Sequence, residues 1–296
     1  MISALLACRS SDKPSQVHEA ARPQPAAEPA DAAVAAADPG HCEPQPFAAS
    51  TPLPEASGAA WLTLDGKLSL VMVSDSGHNG AYAVLDPDTG DTREQGTLPL
   101  GGGGDDLEGL AARGDKLFGL TSNGLIREWR RKGTGFELVD GPYAVGSEAD
   151  GLSCKTFVRC AINYEGLALA SAPRGGCAGF ACSKGDGRAY CLTEQEGRFA
   201  VDRTRSIAVT KPGALGDCTF DDADTLWAAN NVFGADQVFR IDNWADVKTA
   251  KVVPTSAFGI GFPEVIAVRG DVVYRVSDAG GAPSLMAKFR CLAATR

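Results

Sequence analysis

The sequence lacks several patterns on which common functions depend. Lys and Arg number 28 against 37 Asp and Glu, which gives a formal net charge of -9, and the basic residues are scattered rather than clustered. Phosphate backbones are bound by clustered Lys and Arg, so a nucleic-acid surface is excluded. No stretch beyond the N-terminus approaches the apolar run of about 18 residues that a transmembrane helix needs.

Signatures of nucleophilic and zinc chemistry are also missing. There is no GxSxG turn to seat a nucleophilic serine, and the nine cysteines occur without the paired CxxC spacing of a zinc site. Of the three histidines, His18 and His41 fall in an N-terminal tail, which leaves only His78, in "SDSGHNG", for the folded region. We interpret His78 as a solvated turn residue, with a general base as the alternative.

The cysteines favour an oxidising compartment, and the N-terminus agrees with this interpretation. The first residues, "MISALLAC", resemble the lipobox of bacterial lipoproteins, in which the cysteine is lipidated after signal cleavage. Residues 1–8 are therefore interpreted as a truncated signal peptide that ends at Cys8, because only seven residues precede Cys8 and a full signal needs more. A chance LLAC in a cytosolic protein is the alternative.

Residues 9–44 have the composition of a tether. Stretches such as "ARPQPAAEPADAAVAAADPG" are rich in Ala and Pro and carry few large apolar side chains. Such a segment cannot bury a core, so we predict a disordered link between a lipid anchor and the domain that follows.

Residues 45–296 repeat one pattern five times. When the segments are aligned on the acid of "LEGLA", the aligned positions, called anchor residues below, are Ser57, Glu108, Glu165, Asp217 and Glu264. Their spacings of 51, 57, 52 and 47 residues match the length of a propeller blade. Short apolar runs separated by Asp-Gly or Gly-Asp pairs indicate hairpins, and no long helical period is present. We predict an all-β propeller with five blades of four strands, or alternatively six blades.

The fifth repeat stops one strand short of a complete blade. We expect the segment "PFAASTPLP", which precedes the first repeat, to supply the missing outer strand and close the ring. Cys42 and Cys291 would then lie side by side, and we predict a disulfide between them.

The remaining cysteines crowd the third and fourth repeats. If Cys8 is lipidated, eight are left, which is an even number. Local spacing favours Cys154 with Cys160 and Cys177 with Cys182, which leaves Cys191 with Cys218. Spacing does not determine connectivity, and one or two buried thiols are the alternative.

The anchor residues suggest a cation site. The first strand of each propeller blade lines the central channel, so acids at the start of that strand converge on one mouth, with Asp105, Asp106 and Asp222 close by. Converging carboxylates raise one another's pKa unless a cation or backbone donors compensate. A hard divalent cation, Ca²⁺ before Mg²⁺, would do so. The predicted ligands are Asp106, Glu108, Glu165, Asp217 and Glu264. In the alternative, each acid caps its blade by accepting backbone N–H bonds from the neighbouring strand.

Other recurring residues are typical of turns. Four polar residues end the second strand of their repeats, and the alternative places them on a ligand-binding rim: Asp75, Asn123, Asn230 and Asp278. "GGGGDD" lacks the Lys and Ser or Thr of a phosphate loop and is interpreted as a flexible connection between blades. The two "RGD" triplets are interpreted as hairpin turns and not as adhesion motifs.

The segments "DLEGLA", "NYEGLA" and "VMVSDSGHNGAYAVLDPDTG" resemble the propellers grouped as SdiA-regulated or esterase-like phytase proteins, whose blades carry a D-x-E-G-[LI]-[AT] motif and an S-D-x-G turn. The resemblance covers roughly Pro54 to the C-terminus. It implies an extracytoplasmic propeller of five or six blades, a Ca²⁺ in or near the channel and an association with phosphoesterases. It extends to Asp106, Glu108, Glu165 and, more weakly, Glu264. It fails at Ser57, and the Arg and Lys cluster that a phytate site needs is not evident.

The sequence thus predicts a lipoprotein propeller on the periplasmic or extracellular face, with membrane contact through its lipid anchor only. Its predicted role is a non-catalytic binding module that holds a cation and a small ligand at the acidic mouth. One alternative is a calcium-dependent hydrolase of phosphoesters or esters. Another is a surface propeller that binds a protein partner through its outer blade faces and has no central site.

Overall fold

The computed structural model describes residues 41–146, 162–233 and 236–292. Within these ranges the regular elements are 21 strands, which form five antiparallel sheets. None of the described residues forms a helix with the length and apolar character needed to cross a membrane.

The sheets follow one another along the chain as blades. Blade 1 contains β3 (Ala56–Leu64), β4 (Lys67–Ser74), β5 (Ala81–Leu85) and β6 (Thr92–Thr97). Blade 2 contains β7 (Leu107–Arg113), β8 (Lys116–Thr121), β9 (Leu125–Lys132) and β10 (Gly135–Ala144). Blade 3 contains β11 (Tyr164–Arg174), β12 (Cys177–Ser183), β13 (Arg188–Gln195) and β14 (Arg198–Ala208). Blade 4 contains β15 (Leu215–Phe220), β16 (Leu226–Asn230), β17 (Gln237–Asp242) and β18 (Lys251–Ala257). Blade 5 contains β19 (Phe262–Arg269), β20 (Val272–Asp278), β21 (Pro283–Leu292), β1 (His41–Gln45) and β2 (Ser50–Pro54).

The inner strands form a closed ring. Strands β3, β7, β11, β15 and β19 contact one another in that order, and β19 contacts β3. The five-bladed propeller predicted from the repeats is therefore confirmed. The glycines that follow the anchors explain how the strands approach so closely, because a Cβ at Gly58 would lie 2.8 Å from the backbone nitrogen of Leu110. Gly109 and Gly166 are packed more tightly still against the next blade.

The hydrophobic core is divided among the junctions between blades. Five clusters of buried apolar residues occur, one for each pair of neighbouring blades. Between blades 3 and 4, for example, the Trp244 ring contacts Phe180 and Phe220 edge-on, with centroids 6.0 and 4.9 Å apart. Because the blades bury their apolar faces against each other, the channel mouth can carry polar side chains.

The ring closes through the N-terminal segment, as predicted. The outer edge of blade 5 consists of two strands, β1 along the C-terminal half of β21 and β2 along its N-terminal half. The expected segment "PFAASTPLP" supplies only β2, and the first strand begins at His41 and not at residue 45. Pro46, which has no N–H to donate, lies between the two strands. Cys42 lies opposite Cys291, and the two form the predicted disulfide.

The other described disulfides differ from the prediction. Cys177 is bonded to Cys191 within blade 3, whereas Cys182 is bonded to Cys218 of blade 4. The predicted pairs Cys177 with Cys182 and Cys191 with Cys218 are therefore wrong. Cys177 is the first residue of β12 and Cys182 lies one residue before its end. Because a strand rises about 3.3 Å per residue, their separation exceeds the roughly 7 Å between Cα atoms that a disulfide spans. The predicted pair Cys154 with Cys160 and the lipidation site Cys8 lie outside the described residues.

Candidate cation site at the channel mouth

Three carboxylates meet at the mouth where the inner strands begin. Oxygen atoms of Asp75, Asp106 and Glu108 all lie within 4.8 Å of one another, and we call these residues the acidic triad. Asp106 and Glu108 flank the first residue of β7, and Asp75 follows the last residue of β4 in the neighbouring blade. The triad could hold a metal ion, and its oxygen-only donors match the preference of hard divalent cations.

The electrostatics of the triad are unfavourable without a cation. Burial, together with repulsion from Asp106 and Glu264, raises the pKa of Asp75 to about 7. Burial also raises the pKa of Glu108 well above its usual value, and the charges of Glu165 and Asp75 add to that effect. A divalent cation would relieve this repulsion, because each carboxylate would then ionise next to a positive charge.

Two hydroxyl groups orient the triad. Ser57 Oγ donates a 2.6 Å hydrogen bond to Glu108 Oε2, and the Ser122 hydroxyl donates to Asp106 Oδ2. Ser57, the one anchor residue that is not an acid, thus orients Glu108, the anchor acid of the next blade.

A buried arginine holds the loop that leads into the triad. Arg127 is fully buried, and its Nε donates to the carbonyl of Leu100 at 2.8 Å. Its Nη2 donates to the carbonyls of Gly102 and Gly104, the latter at 2.7 Å. The tetraglycine stretch, Gly101 to Gly104, connects two blades, as interpreted from the sequence. It is not a flexible connection, because the Arg127 guanidinium binds two of its carbonyls. Asp106 lies two residues after Gly104, the last glycine that Arg127 holds.

The neighbouring Asp105 ties that loop to blade 1. Its Oδ2 accepts the backbone N–H of Gly77 at 3.1 Å and of Asn79 at 2.8 Å, in the turn after Asp75. His78 belongs to the same turn, where its Nε2 lies 2.7 Å from Glu55 Oε2. His78 is therefore positioned by Glu55.

A second polar cluster lies at blades 3 to 5. Lys184 Nζ is 2.9 Å from Glu165 Oε2 and 3.7 Å from Glu264 Oε1. Burial raises the pKa of Glu165 to about 8, with Lys184 opposing the shift and Glu264 adding to it. Burial alone would lower the pKa of Lys184, but the charges of Glu165 and Glu264 raise it above its usual value. In the amide orientation that satisfies both of its hydrogen bonds, Asn231 donates to the carbonyl of Ala214 at 3.3 Å and accepts from Lys184 Nζ at 3.0 Å.

The sequence did not point to Lys184, and it favoured a turn for Asp75, with a ligand-binding rim as the alternative. Both residues occupy the same place in the repeat, directly after the second strand, in "SDSG" and "SKGDG". Because the first two strands of a blade are antiparallel, the end of the second strand lies beside the start of the first. Extending the comparison of strand ends to the third repeat was the signal that could have found Lys184.

Asp217 has a different environment from the other predicted ligands. Its carboxylate is buried and accepts the N–H of Ile266 of blade 5 at 2.9 Å and of Cys218 at 2.7 Å. Burial raises its pKa, and these two N–H bonds oppose the shift. This arrangement is the blade cap that was the alternative for the anchor acids. Asp222 lies beyond the opposite end of β15, where its Oδ1 accepts the N–H of Gly270 at 3.1 Å, so it is remote from the mouth acids.

The other residues assigned to turns make turn contacts. Asn123 Oδ1 accepts from Thr121 Oγ1 at 2.6 Å, and Asn230 Oδ1 accepts the N–H of Gln237 at 2.8 Å. Asp278 Oδ1 accepts the N–H of Gly280 at 2.6 Å. Burial raises the pKa of Glu264, and the charge of Asp278 adds to that shift. Asp278 therefore combines a turn contact with a place beside the acids.

One comparison with a solved structure, at a TM-score of 0.51, supports the fold. No family model and no curated protein sequence matches the chain. Glutaminyl cyclase from Myxococcus xanthus superposes with a TM-score of 0.51 at 15% identity, over 85% of this chain and 97% of that one. A luciferin-regenerating enzyme matches with a TM-score of 0.49 at 9% identity, over 82% and 92% of the two chains. A gluconolactonase from Xanthomonas campestris matches with a TM-score of 0.47 at 13% identity, over 86% and 97%. Likeness at such identities concerns the fold alone. The resemblance to SdiA-regulated or esterase-like phytase propellers stays a prediction.

Proposed function

We propose that the protein is a propeller that binds a divalent cation, Ca²⁺ before Mg²⁺, at its channel mouth and presents the cation to a small ligand. The acidic triad is the observation that carries this proposal. Its three carboxylates, one with a pKa raised to about 7, are an unfavourable arrangement for the apo protein and a favourable one around a positive ion.

Calcium suits the triad better than other common metals. The donors are carboxylate oxygens, whereas zinc sites rely on His and Cys. Two of the carboxylate oxygens already accept hydrogen bonds from Ser57 and Ser122, so the oxygens that could ligate a metal ion form an irregular set. Ca²⁺ tolerates irregular sets of oxygen ligands and Mg²⁺ demands a near-ideal octahedron, which favours Ca²⁺.

The location of the protein follows from its cysteines. Three disulfides among the described residues indicate an oxidising, extracytoplasmic environment. Together with the LLAC run that ends at Cys8, they support our proposal that the propeller is a lipoprotein of the cell envelope.

The second candidate is a cation-dependent hydrolase of phosphoesters or esters. Glu165, with a pKa of about 8 and Lys184 at 2.9 Å, favours it, since a group that titrates near neutral pH can accept and return a proton. A cation on the triad would polarise the substrate's carbonyl or phosphoryl oxygen. Glu165 would accept and return the proton, and Lys184 would stabilise the negative charge of ionised Glu165.

A thermal melt combined with an activity assay separates these functions. We expect Ca²⁺ to raise the Tm of the wild type, chelator to lower it, and elemental analysis to find about one ion per chain. Asp75→Asn should abolish the Ca²⁺ response, while Asp115→Asn, which changes an exposed acid in a hairpin turn, should keep it. Calcium-dependent turnover of a generic phosphoester that Glu165→Gln abolishes would favour the hydrolase. If chelation changes neither Tm nor activity, both central-site functions fail, and a surface interaction protein becomes the leading function.

A further inference from the structure

Two aromatic side chains stand exposed beside the acids. Phe233 is 65% exposed and Phe262 is 53% exposed, yet their rings contact each other with centroids 4.9 Å apart. We call these two residues the aromatic pair. Exposed apolar side chains that cluster, rather than stand singly, mark binding surfaces.

The aromatic pair lies at the same mouth as the acids. Phe262 is the first residue of β19, two positions before Glu264, and its cross-strand partner is Asp278. Phe233 follows Asn231, the residue that contacts Lys184, by two positions. The aromatic pair is therefore flanked by acidic side chains on the blade 5 side and by the Lys184 cluster on the blade 4 side.

A buried arginine fixes the backbone on both sides of the pair. Arg275 is fully buried and donates to the carbonyl of Val265 at 2.7 Å and to that of Asn230 at 3.0 Å. The first contact holds the strand that carries Phe262, and the second holds the start of the loop that carries Phe233. A site mounted on a fixed backbone loses less entropy when a ligand binds.

The net charge of the channel mouth favours cationic ligands over anionic ones. Six carboxylates gather there, namely Asp75, Asp106, Glu108, Glu165, Glu264 and Asp278. A divalent ion on the triad would leave one of its three negative charges uncompensated. Lys184 offsets the charge of Glu264 and that of Asp278 remains, so the mouth keeps a net negative charge even when Glu165, with a pKa of about 8, is protonated. An anionic ligand would be repelled, whereas an organic cation would be attracted. The negative faces of two aromatic rings also attract a cation.

We propose that the mouth binds an organic ammonium compound, with its charge beside Glu264 and Asp278 and its apolar part on Phe233 and Phe262. This inference rests on the proposed function in that it assigns a ligand class to the same channel mouth. The aromatic pair then determines specificity, because it distinguishes an ammonium with an apolar group from a simple inorganic cation.

The test is a calorimetric titration of the Ca²⁺-loaded protein with phenethylammonium. Its neutral isostere 2-phenylethanol and the anion 3-phenylpropionate serve as ligand controls. We expect saturable binding of phenethylammonium, weaker binding of the alcohol and none of the anion. Phe262→Ala and Phe233→Ala should each weaken binding by about two- to fivefold. Val139→Ala and Leu285→Ala, which remove exposed apolar side chains elsewhere, should bind like the wild type.

The ligand inference and the cation proposal are contradicted by different results. Equal binding of the alcohol and the ammonium, or wild-type binding by both Phe variants, would overturn the inference. If Ca²⁺ stabilises the protein but phenethylammonium does not bind, the ligand inference fails and the cation proposal stands. If phenethylammonium binds in a Phe-dependent way and Ca²⁺ has no effect, the cation proposal fails and the ligand inference stands.

Discussion

The substitution Asp75→Asn should stabilise the protein when no divalent cation is present. Burial and the charges of Asp106 and Glu264 raise the pKa of Asp75 from 3.8 to about 7, a rise of about three units. Each unit corresponds to about 1.4 kcal/mol, so ionising Asp75 costs the folded state about 4 kcal/mol. An asparagine cannot ionise and should avoid that cost.

The sign of the pH dependence follows from the same shift. Because the folded state binds the Asp75 proton more tightly than the unfolded chain does, this cost is absent below pH 3.8. It grows as the pH rises towards about 7 and is constant above that value. With chelator present, the contribution of Asp75 should therefore lower the stability of the wild type between pH 4 and pH 7, and Asp75→Asn should lack this contribution.

Urea unfolding at several pH values in the presence of chelator measures the difference. We expect Asp75→Asn to gain up to about 4 kcal/mol over the wild type at pH 8 and little at pH 4. Addition of Ca²⁺ should recover the loss in the wild type and change the variant little. Asp115→Asn, at an exposed turn, is the matched control. If wild type and Asp75→Asn show the same pH dependence, the acidic triad carries no electrostatic cost and the reasoning is refuted.

Three further predictions concern residues that support the site and the ring. Arg127→Met should weaken Ca²⁺ binding at least about tenfold, because it releases the tetraglycine loop. Arg130→Met, at an exposed position of the same strand, should leave Ca²⁺ binding unchanged, and calcium titration of both variants measures the difference. Asp217→Ala removes the acceptor of the buried N–H groups of Ile266 and Cys218, so at pH 4, where ionisation of the carboxyl costs little, it should lower the free energy of unfolding by about 1 to 3 kcal/mol. It should leave Ca²⁺ affinity unchanged, and a loss of affinity would show that Asp217 is a ligand. Replacing Cys42 and Cys291 by Ser should lower stability by up to about 5 kcal/mol in denaturant unfolding, because the bond spans 249 residues, and an unchanged midpoint would rule out a stabilising closure.

The propeller was predictable because its signals are local and repeated. Alternating apolar runs and hairpin pairs specify strands and turns, and the regular spacing of Glu108 and its equivalents counts the blades. The Cys42–Cys291 bond followed from ring closure, which is a requirement of topology and not of local sequence. The glycine after each of three anchors proved to be as informative as the acid, since it permits the close contact between blades.

The site and the other disulfides depend on contacts between blades, which spacing does not encode. Asp75 joins Glu108 from the neighbouring blade, and Lys184 lies between acids of two blades. Cys182 bonds Cys218 across a blade junction for the same reason. Arg127 could not be found from sequence, because its partners are backbone carbonyls that carry no signal in the side-chain pattern.

A crystal structure determined with Ca²⁺ present tests the central claim most directly. We predict one anomalous-difference peak at the channel mouth, about 2.3 to 2.6 Å from carboxylate oxygens of Asp75, Asp106 and Glu108. The same peak should be missing in Asp75→Asn crystals grown under the same conditions. Crystals that contain Ca²⁺ and show no peak at the acidic triad, or that show it elsewhere in the propeller, would contradict the proposed cation site.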